Sequence, residues 1–502
     1  MRLHRVALCV ILILGCSSWA QGPQTSDGKE SLNNTLRELQ GEIRELQASV
    51  RELRDESERY RLETLELRNE LARGGARPSS SPEQPNVIPP QGTDQRLARV
   101  EEDVKLLTGK VDEQYQTKVE SASKYRVRLS GVVLFNMFSN RGVVDNIDNP
   151  ALAEARTGLD SAGSFGGTLR QSIIGLEAFG PEIGGARTSA DVNFDFAGGF
   201  PGGALNGVTF GLVRLRTARL RFQWANTSLI AGQDTLFFAP LAPTSFASLS
   251  TPALSYAGNL WAWVPQLRVE HKVALSDTSS LSFAGGILDG VTGEPPSSEY
   301  LRPAQAGEKS GQPAYATRAA WTHDLFGRPL TIGSGAYYNR QNWGFNRIVD
   351  GWAATSDIDI PLAKRFSVSG EFYRGRAIGG LGGATGRSVL LSGEFSDPTT
   401  QVLGLDSIGG WAQLKFSATN KLEFNSAFGQ DNPFANDLRR FSGPQSYTNS
   451  AISRNREAFV NVVARPRSDL VLSLEYRRIH TFEEPRGSET ANHINLSAGV
   501  LF

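Results

Sequence analysis

From Tyr125 onward, apolar and polar side chains alternate with a period of two. Tyr125, Val127, Leu129, Gly131, Val133, Phe135 and Met137 alternate with Arg126, Arg128, Ser130 and Asn136. Residues 190–196 alternate without a fault, as does Leu267-Arg268-Val269-Glu270 leading to Val273. Further on, Leu422, Phe424, Ser426 and Phe428 oppose Glu423 and Asn425; Leu470, Leu472, Leu474 and Tyr476 oppose Ser473, Glu475 and Arg477. This is the period of strands whose two faces meet different surroundings. A soluble antiparallel sandwich would alternate too, but these segments often reach ten residues or more, the length a tilted strand needs to cross a bilayer. The pattern predicts an all-β transmembrane barrel over residues 124–502.

Breaks in the alternation give the strand count. Short turns are predicted near 181–185, 225–227, 276–279, 324–328, 361–364, 419–420 and 466–469. Long segments lie near 139–165, 197–209, 237–263, 289–312, 341–348, 375–406, 430–455 and 481–490. Seven turns and eight loops join about sixteen antiparallel strands, provided residues 388–395 form a hairpin inside an outer loop. A barrel of that size leaves room for an aqueous channel, whereas eight strands would be filled by side chains. In the last segment Ile494, Leu496, Ala498, Val500 and Phe502 alternate with His493, Asn495, Ser497 and Gly499. Its terminal aromatic resembles the signal read by the outer-membrane barrel-assembly machinery, which makes Phe502 the expected assembly signal.

Upstream the period changes. Leu32, Leu39, Leu46, Leu53, Tyr60 and Leu67 fall on d positions; Leu36, Ile43, Val50, Ser57, Thr64 and Leu71 fall on a. The heptads predict an α-helical coiled coil over 31–73, about 65 Å long at 1.5 Å per residue; a single amphipathic helix is the other reading. Residues 74–94 hold Pro78, Pro82, Pro85, Pro89 and Pro90 and cannot continue a helix. A second short helix is expected over 95–120, with Leu97, Val100, Val104, Leu107 and Val111 at 3–4 spacing. Residues 1–20 read as a signal peptide: Arg2 and Arg5, an apolar run from Val6 to Leu14, and Ser18-Trp19-Ala20 before the cut. Gly15-Cys16 leaves a lipoprotein signal as the alternative. The coiled coil would then lie in the periplasm.

Composition adds limits. Both cysteines, Cys9 and Cys16, fall inside the signal, so a chain cut after Ala20 has no disulfide and no thiolate metal site. The formal net charge is zero, which supplies no general attraction to nucleic acid. Beyond the signal no run of 18 apolar residues predicts a transmembrane helix. A mean hydropathy of −0.28 suits a barrel as well, because alternation hides its apolar half.

A family resemblance rests on particular residues. Leu169-Arg170-Gln171-Ser172 precedes Gly175-Leu176-Glu177, and Phe194-Asp195-Phe196 precedes Gly198-Gly199. Arg214-Leu215-Arg216, Ala218-Arg219, Ala231-Gly232-Gln233, Phe238-Ala239-Pro240-Leu241 and Pro265-Gln266-Leu267-Arg268-Val269 continue it. Over the first third to half of the barrel the chain resembles the DcaP-like trimeric outer-membrane porins. It departs at Asp234-Thr235, where a Thr-Trp pair is usual, and at Ile173, often basic. The resemblance implies a homotrimer in outer-membrane lipid, a periplasmic coiled coil, and passive diffusion of small hydrophilic, often anionic, solutes.

Alternation names luminal candidates independently of the resemblance. With Ala218, Leu220, Phe222 and Trp224 toward lipid, Arg219, Arg221 and Gln223 face inward; so do Asp191, Asn193 and Asp195 on strand three, and Arg268, Glu270 and Lys272 on strand six. Arg170 and Arg318 are further pore-lining candidates whose register the pattern does not fix. The long segment 237–263, with Pro240, Pro243, Pro252, Trp261 and Trp263, is a candidate constriction loop. Trp224, Trp321 and Trp352 suit an interfacial girdle. The other reading is that luminal arginine and aspartate do no more than pair with each other.

Catalytic and metal chemistry is not predicted. His271, His323, His480 and His493 are scattered. Asp191, Asn193 and Asp195 have the spacing of a calcium loop, but Phe196 stands where its turn needs Gly. Residues 379–388 are glycine-rich without a P-loop lysine. The expectation is a porin that is not an enzyme and carries no cofactor. The competing expectation is a non-conducting barrel that tethers the envelope through its coiled coil.

Overall fold

The computed structural model describes residues 126–200, 211–294, 302–440, 451–484 and 487–502. The signal peptide, coiled coil, Pro-rich linker and second helix expected over 1–120 lie outside the described residues.

Among the described residues one sheet of seventeen segments closes on itself. Two segments, Gly163–Thr168 and Ile173–Ile183, pair in succession with the same neighbour and are two lengths of one strand, so the barrel has sixteen. In chain order β1 is Val127–Arg141, β2 is the divided strand, β3 is Ala186–Asp195 and β4 is Arg214–Gln223. Then come β5 Thr227–Thr235, β6 Trp263–Ser276, β7 Ser279–Leu288, β8 Ala314–Leu325 and β9 Arg328–Asn342. The far side is β10 Ile348–Ala363, β11 Phe366–Arg376, β12 Asp406–Thr419 and β13 Leu422–Pro433. β14 Ala451–Arg467, β15 Leu470–Glu484 and β16 Gly487–Leu501 complete it. Every strand is antiparallel to the next, and β1 closes on β16 from Val132↔Leu501 to Arg141↔Asn492. Phe502 caps the seam: Gly131 N–H donates to its carbonyl and its own N–H donates to Gly131 O.

The two faces are inverted relative to a soluble protein. On β15, Leu472, Leu474 and Tyr476 point outward and are 40–50% exposed, while Ser473, Glu475 and Arg477 point inward and are at most 3% exposed. β1 repeats this with Val133, Phe135 and Met137 outside and Asn136 and Asn140 inside. A continuous apolar band around a closed wall is unfavourable in water and suited to a hydrocarbon surround. Trp224 and Trp321 stand on the outer face near the short turns, Trp352 near the long loops. No described helix is long and apolar enough to cross a membrane.

The seven short turns lie where the pattern put them, from Gly184–Gly185 between β2 and β3 to Ser468–Asp469 between β14 and β15. The hairpin expected inside the 375–406 loop is present as Val389–Leu391 paired with Val402–Gly404. One loop differs from expectation. Residues 481–490 were expected to be a long loop, but β15 runs to Glu484 and β16 restarts at Gly487. These ends stand at the rim, where both faces of a strand are wet and the alternation that marks a strand in lipid is not required.

Candidate functional site: the lumen and its folded-in loop

Twenty-seven residues, 236–262, join β5 to β6. Connections this long are uncommon in compact structures and usually functional. This one folds into the barrel. Phe237, Phe238 and Leu260 are at most 7% exposed and pack on luminal Tyr337, Ala353 and Tyr373. Leu254 and Ala257 pack on Trp411 and Phe459. Phe246 and Leu249 lie against Val132, Leu134, Val463 and Val471. Each such side chain taken fully from water contributes about 1.5–3 kcal/mol, so three separate apolar seats hold the loop to the wall.

Luminal polar groups then fix its path. Leu241 N–H donates to Glu371 Oε1 at 2.7 Å, and Thr244 N–H to Gln413 Oε1 at 2.6 Å. Asn461 Nδ2 donates to Thr244 O at 2.9 Å and Asn136 Nδ2 to Phe246 O at 2.9 Å. Gln171 donates to Ala247 O at 2.8 Å and accepts from Leu249 N–H at 2.6 Å. The loop thus touches β11, β12, β14, β1 and the break in β2 within nine residues, which places it across the lumen. On its return, Gly258 has φ +96° and lies on the β12 backbone; a Cβ there would stand 2.3 Å from Gly410 O. Gly429 on β13 gives matching clearance, since a Cβ would stand 2.2 Å from Ala257 O. Leu254 and Tyr256 also hold positive φ, a conformation that persists only where surroundings impose it.

The deepest anchor is ionic. Arg477, 1% exposed, meets Glu475 at 2.7 Å and Glu457 at 3.1 Å. It also donates to Ser248 Oγ at 2.5 Å and to Pro150 O at 3.2 Å. Ser245 Oγ donates to Glu475 Oε2 at 2.6 Å. One arginine and two glutamates therefore tie the crossing loop to the segment 142–162.

The opposite wall carries a ladder of alternating charge. Asp191 on β3 stands across from Arg219 on β4 and pairs with it at 2.9 Å. Arg219 also reaches Asp234 on β5 at 3.2 Å; Asp234 meets Arg268 on β6 at 2.8 Å, and Arg268 meets Glu270 at 2.7 Å. Arg318 on β8 meets Asp357 on β10 bidentately, at 3.0 and 2.6 Å. The pair spans β9 at Gly333, where a Cβ would stand 2.4 Å from Asp357 Oδ1. Asp195, at the outer end of β3, holds Arg214 at 2.6 Å and Arg216 at 3.2 Å. Arg170 sits in the break of β2 with its guanidinium on Asp148 at 3.0 Å.

Six of the seven predicted pore-lining residues therefore carry an ion pair: Arg219, Arg268, Asp191, Asp195, Arg170 and Arg318. Arg221 is the exception; it lines a hollow at the short-turn end of β1–β4. Arg219, Arg268, Asp191 and Arg318 share the luminal wall, whereas Asp195 and Arg170 lie toward the long loops. Sequence reasoning did not single out Arg477, Glu457, Glu371 or Asp357. Glu475 and Arg477 fell on the polar face of β15 by alternation, but alternation cannot tell a wetted lumen from one filled by a loop. Among the described residues no cluster of three or more His, Cys, Asp or Glu is placed to hold a metal.

No family model and no curated protein sequence matches the chain. The barrel is similar to the crystal structure of the outer membrane channel DcaP of Acinetobacter baumannii, at a TM-score of 0.58 and 17% identity, over 77% of this chain and 100% of that one. OprB of Pseudomonas putida aligns at 0.45 and 10% over 75% and 94% of the two chains. An anion-selective porin from Comamonas acidovorans aligns at 0.44 and 11% over 76% and 100%. The likeness to DcaP establishes the barrel fold.

Proposed function

We propose that this protein is an outer-membrane porin through which small hydrophilic solutes, anions among them, diffuse passively. The observation that carries the reading is the make-up of the lumen. A wall of sixteen strands is too wide to be filled by its own side chains. It presents Asp191, Arg219, Asp234, Arg268, Glu270, Arg318 and Asp357 inward, and a folded-in loop crosses it. Acids and bases facing one another create a transverse field that orders polar solutes and disfavours apolar ones. The apolar outer band suits outer-membrane lipid, and the DcaP structure of the same fold is described as a channel. The resemblance adds a homotrimer, and nothing in the reading requires an enzyme or a cofactor.

The test is swelling of proteoliposomes in isosmotic solutes of graded size. Entry of small sugars and amino acids, with a sharp fall as solute size rises, supports a diffusion channel. Vesicles that swell no faster than protein-free controls for every solute refute it.

A further inference from the structure

At the short-turn end of β1–β4 the luminal wall encloses a hollow of about 400 Å3, lined by Glu177, Phe179, Arg187, Asp191, Arg219 and Arg221. Most of its charge is matched. Asp191 and Asp234 hold Arg219, and Glu177 faces Arg128 at 3.6 Å. Arg126 and Arg128 stack on the Phe179 ring at 4.6 and 5.3 Å. Arg187 and Arg221 stand differently: among the described residues neither guanidinium has an ion pair or a hydrogen bond.

Register makes them neighbours. Arg187 lies opposite Gln223 on β4 and opposite Glu182 on β2, with which it forms no ion pair, and Arg221 lies opposite Ser189, so the two arginines are diagonal on one luminal face. Diagonal residues of adjacent strands stand roughly 7–8 Å apart, within reach of long side chains. Two guanidinium groups so placed repel one another unless an anion lies between them. Each is a planar fork that matches the two oxygens of a carboxylate or phosphate better than it matches a spherical halide.

We infer that this hollow is a binding subsite for a small oxyanion, carboxylate or phosphate, gripped by Arg187 and Arg221 on the short-turn side of the crossing loop. The inference rests on the porin reading for the route by which the anion arrives. Arg187 is exposed and Arg221 half-buried, so salt screens the attraction and binding is weak, on the order of millimolar. That weakness suits transit, because a solute held too firmly would not leave.

The test is calorimetric titration of the purified full chain at low salt with citrate, inorganic phosphate and chloride. It compares wild type, the double variant Arg187→Gln/Arg221→Gln, and Lys272→Gln. Lys272 is a luminal cation at the same end that lines a separate hollow, so its removal controls for loss of charge. Neither arginine has a partner to lose, so the double variant folds; heat-modifiable migration in a gel checks this. The expected result is citrate or phosphate binding stronger than chloride, weakened at least about tenfold (1.4 kcal/mol) in the double variant and under twofold in Lys272→Gln. A folded, conducting double variant that binds these oxyanions like wild type overturns the subsite and leaves the porin standing. Equal weakening by Lys272→Gln also overturns it, since the attraction would then be diffuse. Wild-type binding through the two arginines in a protein that never conducts supports the subsite and overturns the porin.

Discussion

Replacing Arg477 by methionine removes the one cation between two buried glutamates. Arg477, Glu457 and Glu475 are each at most 1% exposed, and the arginine bridges them at 3.1 and 2.7 Å. Methionine fills a similar volume but leaves two carboxylates out of water without a counter-charge. Breaking a buried ion pair in this way costs about 3–5 kcal/mol, mostly for the stranded charge. The loop also loses the hydrogen bond to Ser248 and the segment 142–162 the one to Pro150, each worth about 1.5–3 kcal/mol at a charged group, not fully additive with the first loss. Urea unfolding in lipid vesicles, followed by the fluorescence of buried Trp343 and Trp411, should show a loss of at least about 3 kcal/mol. The triple variant Arg477→Met/Glu457→Gln/Glu475→Gln should recover much of it, because no stranded charge remains. A single variant within about 1 kcal/mol of wild type, or a triple variant worse than the single, refutes the reasoning.

Gly429→Ala places a Cβ 2.2 Å from Ala257 O, so the loop must shift by roughly 1 Å; a cost of about 1–3 kcal/mol and noisier single-channel current are expected, and unaltered current would count against the loop's placement. Asp234→Asn releases Arg219 and Arg268 from a shared acid and should move the reversal potential in a salt gradient toward anions; a move toward cations contradicts the ladder. Burial, then the nearby Glu308 carboxylate, raises the Asp289 pKa. The folded state therefore holds its proton more tightly, and the contribution is present below the ordinary carboxylate pKa and lost as pH rises through the raised value. Protease protection of the loop after β7 should fall across that window in wild type, and Asp289→Asn should flatten the dependence.

Much of the barrel could be read from residue order, for a physical reason. Leu472 and Glu475 obey opposite demands because lipid and lumen are separated by one strand's thickness, and a one-residue slip would exchange them. Reversals at Gly184–Gly185 and Asn420–Lys421 were legible because a tight turn restricts residue type. The rim hairpin of β15 and β16 was not, since a strand beyond the bilayer carries no apolar face. The break in β2 was also hidden: Leu134 N–H donates to the Ser172 hydroxyl oxygen at 3.0 Å, and Gln171 turns to the loop. Such long-range partners leave no period. For the same reason Arg268 could be assigned inward, while its commitment to Asp234 and Glu270 could not. Asp234, read as a departure from the family pattern, is the acid that binds two arginines together.

Whether the lumen conducts is decided by single-channel recording of the purified full chain in a planar bilayer. Discrete upward conductance steps of uniform size in potassium chloride are expected, with a reversal potential that shifts when Asp234 becomes Asn. Folded protein that inserts, as shown by heat-modifiable migration of the recovered material, yet leaves the bilayer silent across repeated preparations would contradict a conducting lumen.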